Sequence, residues 1–152
     1  MDLTETPEIV TWPKTIYCYV EKVGPFQTNA PQAWKELHET LPSLSEQNKL
    51  TPNFFSRYKI EASIYRAGVA LTAVLSKLPS QLRCETFVGG QYARFVLKGS
   101  YSQLPGASSR VLEIVKTSKL QIRDDFFIES YVNDPRTTRE EMLITEILIP
   151  TA

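Results

Sequence analysis

From Ile16 to Glu21 the chain alternates with period two: Ile16, Cys18 and Val20 against Tyr17, Tyr19 and Glu21. Such alternation places the two sets on opposite faces of a β-strand. Gly24 ends this segment, where a backbone with positive φ is useful. Ala30, Trp34, Leu37 and Leu41 then recur at helical spacing and predict a helix from about Gln27 to Leu41. Thr28 or Asn29 supplies its cap, Pro31 is tolerated in the first turn, and Pro42 is expected to stop it. A polar loop or short helix over Ser43 to Pro52 leads to strands at roughly 53–61 and 64–75. Ser76 to Ser80 reads as a joint.

The same order of features then returns. Gln91 to Tyr101 can be set beside Ile16 to Phe26 at an offset of 75, matching Tyr with Tyr and Gly99 with Gly24. Ala93, Phe95 and Leu97 repeat the apolar set. A second helix is predicted from about Gln103 to Thr117, with Leu104, Ala107, Val111, Ile114 and Val115 inward. Phe54–Phe55 corresponds to Phe126–Phe127, and strands are expected at roughly 126–133 and 142–149. Asn133-Asp134-Pro135 reads as a turn, and Thr138 with Glu141 as a capping box that starts one helical turn.

Each half, about residues 7–76 and 81–150, thus reads strand, helix, strand, strand. A unit of about 70 residues buries little on its own. The expectation is one α+β domain over 1–152: tandem repeats forming one antiparallel sheet with two main helices, related by a pseudo-twofold axis, with a ligand groove between the halves.

Composition narrows the function. The 152 residues carry 17 Lys+Arg against 17 Asp+Glu, so no basic surface for nucleic acid is expected. Lys and Arg are scattered, with no stripe and no helix-turn-helix. No run of about 18 apolar residues spans a membrane. The segment Met1 to Glu5 has neither the basic nor the apolar region of a signal peptide, and a cytoplasmic protein is the expectation. Cys18 and Cys84 form no metal framework; both read as apolar fillers within strands, with a disulfide as the alternative. The single histidine, His38, sits at the edge of the first helix's apolar face and supports neither a metal site nor a triad. No cofactor is called for.

Five segments together resemble a known family: Pro7-Glu8-Ile9-Val10, Tyr19-Val20-Glu21-Lys22-Val23-Gly24-Pro25-Phe26, Gly89-Gly90-Gln91-Tyr92-Ala93, Glu129-Ser130-Tyr131-Val132-Asn133-Asp134-Pro135 and Thr145-Glu146-Ile147-Leu148-Ile149-Pro150. In order and spacing the chain resembles the GyrI-like effector-binding domain, also called the AraC or bacterial-transcription-activator effector-binding domain, over about residues 7–150. The resemblance implies a duplicated fold that binds hydrophobic, often cationic small molecules. Some family members are fused to DNA-binding modules, some stand alone, and some standalone ones hydrolyse cyclopropane-bearing compounds. It further implies a ligand-contacting glutamate at Glu129 with Tyr131 beside it. Many members have an acidic residue before Ala-Gly-Val; here Arg66 stands there, which opens two alternatives, a pair with Glu129 or a preference for an anion.

The residues themselves support a ligand role for Glu129. Phe127, Glu129 and Tyr131 share parity and project from one sheet face. A carboxylate among aromatic rings loses hydration, which raises its pKa. A bound organic cation would supply the missing opposite charge, and ring faces add roughly 0.5–2 kcal/mol per good contact. A structural bond from Glu129 to an Arg or a backbone N–H is the alternative. Tyr19, Trp34, Phe55, Tyr65 and Tyr131 are the candidate groove walls. The leading expectation is a standalone binding protein for small organic ligands. The alternatives are a hydrolase using Glu129 and Tyr131 as catalytic groups, and a module that binds a protein such as a transcription factor or topoisomerase.

Overall fold

The computed structural model describes residues 1–152. In chain order its elements are β1 (Asp2–Leu3), β2 (Glu8–Trp12), β3 (Thr15–Val23), α1 (Phe26–Glu46), β4 (Leu50–Lys59), β5 (Ile64–Leu71), β6 (Arg83–Phe87), β7 (Gly90–Lys98), α2 (Leu104–Thr117), β8 (Phe127–Tyr131) and β9 (Ile144–Pro150). The class is α+β, and within each unit every strand pairing is antiparallel. No helix is long and apolar enough to cross a membrane.

The chain divides into two compact units, Pro13–Gly89 and a discontinuous one made of Met1–Trp12 with Gly90–Ala152. Residues 7–12 belong to the second half, because β2 pairs with β7 from Glu8↔Arg94 to Trp12↔Gly90. Residues 83–87 form a strand that pairs with β3.

In the unit Pro13–Gly89 the strand order is β6–β3–β5–β4. Register sorts its side chains by parity. Cys18, Val20, Lys22, Ala67, Val69, Tyr65, Phe54, Ser56 and Tyr58 share the face that α1 covers. Lys22 marks this face by pairing with Glu36 of α1 at 2.6 Å. Tyr17, Tyr19, Glu21, Phe55, Arg57, Arg66 and Gly68 share the opposite face. Both faces are buried at mid-strand, since Tyr17, Cys18, Tyr19 and Val20 are all inaccessible. Period-two alternation in β3 therefore separates two buried faces here and not inside from outside.

Helix α1 runs five residues past its expected end, and Pro42 lies inside it. Its buried residues are Ala33, Leu37, Thr40 and Leu44. Leu44, fully buried beyond the proline, anchors the last turn and outweighs the hydrogen bond that Pro42 cannot donate. The buried stripe is rotated from the expected one, so Trp34 and Leu41 are only half-buried. No side chain caps the helix; Pro25 precedes it, and Thr28 Oγ1 donates to the Pro25 carbonyl at 3.3 Å.

In the second unit β7 lies between β9 and the N-terminal strands, and β8 pairs with β9. Ala93, Phe95 and Leu97 pack with Ala107, Val111 and Val115 of α2 and with Ile147 and Ile149. This is the core the sequence pattern predicts, except that a 3-10 turn (Tyr101–Gln103) precedes the helix. Gly24 and Gly99 hold φ of 132° and 137°, as the turn after each first strand requires. The turn before β9 covers Glu140–Met142, but Thr138 does not cap it; the cap position is Arg139.

Candidate functional site

Strand β8 places Glu129 opposite Ile147, and Tyr131 opposite Thr145. Ile147 belongs to the core beneath α2, so Glu129 and Tyr131 project from the helix-covered face of their unit. Phe127 packs against that same core. The Tyr131 hydroxyl donates to Glu129 Oε1 at 3.0 Å, and Ser108 Oγ, on α2, reaches Glu129 Oε2 at 3.5 Å. Two neutral hydroxyls and no cation attend the carboxylate. Burial is the dominant influence on it, and pushes its pKa above the ordinary carboxylate range; the Tyr131 and Ser108 hydrogen bonds oppose this only in part.

Tyr101 extends the aromatic wall. Its ring meets the Tyr131 ring edge-on at 5.5 Å. The Tyr101 hydroxyl and Thr145 Oγ1 are both buried without a hydrogen-bond partner. An unpaired buried hydroxyl costs about 1–3 kcal/mol, so this side of the unit carries unspent hydrogen-bonding capacity next to Tyr131. A pocket of about 440 Å³ opens there, lined by Ser100, Tyr101, Ser102, Pro135, Thr138, Glu140 and Leu143. Neither this pocket nor a second depression, bounded by Glu39, Lys77 and Gln81 among others, is lined by Glu129, Tyr131 or another site residue predicted from sequence.

The remaining candidates separate onto two faces of the other unit. Trp34 Nε1 donates to the Tyr65 hydroxyl at 2.8 Å on the α1 side, where Phe26 meets Tyr65 and Tyr58. Tyr19, Phe55 and Arg66 lie on the opposite face. There Tyr17 stacks between Tyr19 and Phe55, with centroids 5.3 and 4.5 Å away. Tyr19 and Phe55 thus lie on one face of this unit's strands, and Trp34 with Tyr65 on the other. The sheet itself stands between the two pairs, because a parity difference of one residue sends a side chain to the other face.

Arg66 is engaged within its own unit. Its Nε donates to Glu21 Oε1 at 2.8 Å and its Nη1 to Glu85 Oε1 at 3.1 Å. The guanidinium also lies 4.6 Å from the centre of the Tyr19 ring. Glu85 simultaneously accepts from Arg57 Nη1 at 2.7 Å, and Glu21 accepts from Arg83 at 3.0 Å. Arg57 and Arg66 are register partners across β4 and β5, so like charges face each other and Glu85 bridges them. Arg57 stacks 3.9 Å over the Phe87 ring. Ser108, Tyr101, Arg57 and Glu85 were not singled out from sequence. Ser108 had a signal: it follows inward Ala107 on the helix edge nearest the sheet. Glu85 had none: Cys84 reads as a strand residue, but no bounds or pairing were predicted for that strand.

The GyrI-like small-molecule-binding domain matches residues 5–152. The chain belongs to the GyrI-like family. Several solved structures share the fold at low identity. The EcmrR chain of an EcmrR–DNA complex superposes with a TM-score of 0.77 at 14% identity, over 98% of this chain and 57% of that one, so this chain spans little more than half of EcmrR. SAV2435, solved bound to tetraphenylphosphonium, gives 0.73 at 13% identity over 96% and 93% of the two chains. A hydrolase from Listeria innocua gives 0.65 at 12% identity over 98% and 93%. No curated protein matches the sequence.

Proposed function

We propose that this GyrI-like chain binds a hydrophobic organic cation, with the Glu129 carboxylate as counter-ion and the Tyr131 and Tyr101 rings as part of the wall. The observation that carries the reading is a half-buried glutamate, its pKa raised by partial loss of water, held by two hydroxyls and by no cation. Such a carboxylate gains most from a ligand that brings positive charge without a large hydration shell. That the related SAV2435 was solved with tetraphenylphosphonium supports the choice of ligand class. Arg66 is bound by Glu21 and Glu85, which supports leaving Glu129 for the ligand.

The test is a thermal-shift series with tetraphenylphosphonium and smaller lipophilic cations. Stabilisation is expected for the native chain and is lost or strongly reduced in Glu129→Gln. Equal shifts in both proteins overturn the assignment. A hydrolase is the second reading, favoured by the same observation: a carboxyl with a raised pKa beside two hydroxyls is suited to general-acid work. Turnover of a cyclopropane-bearing alkylator, lost in Glu129→Gln, supports it; stoichiometric binding without product excludes it.

A further inference from the structure

Cys18 and Cys84 are register partners across β3 and β6. Both are free thiols, Cys18 buried and Cys84 half-buried. Directly opposed residues of an antiparallel pair have Cα atoms about 4.5–5.5 Å apart, inside the span of roughly 4.4–6.8 Å that a disulfide bridges. Their side chains leave the same face, and the two thiols adjoin closely enough to hydrogen-bond.

Strand β6 ends the order of its unit and pairs along five positions with β3 alone, from Thr15↔Phe87 to Tyr19↔Arg83. Short edge strands fray readily. Cys84 immediately precedes Glu85, which bridges Arg57 and Arg66. Whatever pins Cys84 to β3 therefore also pins the bridging carboxylate over the two guanidiniums.

We propose that Cys18 and Cys84 form a reversible cross-strand clasp, closed by low-molecular-weight disulfides and opened by thiols, that locks β6 and with it Glu85. The Cys84 thiolate, the more accessible of the two, attacks one sulfur of a disulfide RSSR and expels RS⁻. Cys18 loses its proton and attacks Cys84 Sγ, expelling the second RS⁻. Two protein thiols are oxidised to one cystine, and one RSSR is reduced to two thiols. Burial holds both thiols above their ordinary range, Cys18 at about 12, so closure is slow at neutral pH and accelerates as pH rises.

The full chain is incubated with oxidised glutathione, and intact mass, free thiols and amide exchange are followed. The expected product is a monomer lacking two hydrogens, with no free thiol, a cross-linked peptide joining Cys18 to Cys84, and slowed exchange across 83–87. Cys84→Ser and Cys18→Ser should each remove the exchange effect; Cys84→Ala serves where a serine variant misfolds. A persistent mixed disulfide on Cys84, a disulfide-linked dimer, or thiols that react only after unfolding overturns the proposal, as does a closed disulfide that leaves β6 exchange unchanged.

Discussion

Replacing Gly68 by alanine tests the face assignment that separates Tyr19 and Phe55 from Trp34 and Tyr65. A Cβ at Gly68 would lie 2.4 Å from two carbons of the Tyr17 ring and 2.6 Å from its hydroxyl oxygen. Non-bonded carbon atoms prefer about 3.5–4.0 Å, so the ring cannot stay. It has nowhere easy to go, because Tyr17 is fully buried and its hydroxyl donates to the Phe55 carbonyl at 2.8 Å. Overpacking costs roughly 1–3 kcal/mol, and the displaced hydroxyl leaves a buried polar group that costs about 1–3 kcal/mol more. A loss of about 3 kcal/mol corresponds to a fall in Tm of roughly 6–12 °C for a domain of this size. Gly106→Ala is the internal control: no atom lies within 4 Å of its added Cβ, and the position is helical. It should gain about 0.5–1 kcal/mol. Calorimetry and denaturant midpoints read both variants. If Gly68→Ala melts with the native protein, Tyr17 does not lie over Gly68 and the two-face description of β3 and β5 fails.

Glu129→Gln should stabilise the unliganded protein. The folded-state pKa of Glu129 is raised, so the native state holds the proton to higher pH than the unfolded chain does. Stability therefore falls as pH rises from the ordinary carboxylate value of 4.5 through the folded one, and the glutamine removes that fall; melting curves at stepped pH will show the two proteins diverging upward through this window. Tyr131→Phe deletes the shorter hydrogen bond to the carboxylate and should raise the Glu129 pKa further, seen by carboxyl NMR titration as a midpoint shifted up. Glu85→Gln leaves Arg57, whose side chain is 6% exposed, and Arg66 facing each other without their shared charge. Because Glu85 itself is partly exposed, the expected loss is about 2 kcal/mol, read as a lower denaturant midpoint that high salt partly restores.

The units' helical and strand core was legible because it follows simple periods. Ala93, Phe95 and Leu97 with Ala107, Val111 and Val115 were readable from alternation and helical spacing alone. The shared parity of Phe127, Glu129 and Tyr131 likewise gave the carboxylate its face and its raised pKa. Sequence reading failed where tertiary pairing decides. Cys84 reads as a strand residue, but Arg83, Glu85 and Thr86 around it give no pattern that bounds the strand until β3 pairs with it. Pro42 looks like a helix stop until Leu44 is seen to be buried beyond it. Matching Phe54–Phe55 to Phe126–Phe127 by letter slipped the register by one: Phe127 packs beneath α2, whereas Phe55 faces away from α1.

Isothermal titration with tetraphenylphosphonium in buffers of different ionisation enthalpy measures the central claim directly, because binding to a partly protonated Glu129 must expel its proton. Below the raised pKa the account expects proton release on binding and an affinity that climbs with pH, both absent in Glu129→Gln. Binding that is independent of pH and buffer, and unaltered by that substitution, would contradict it.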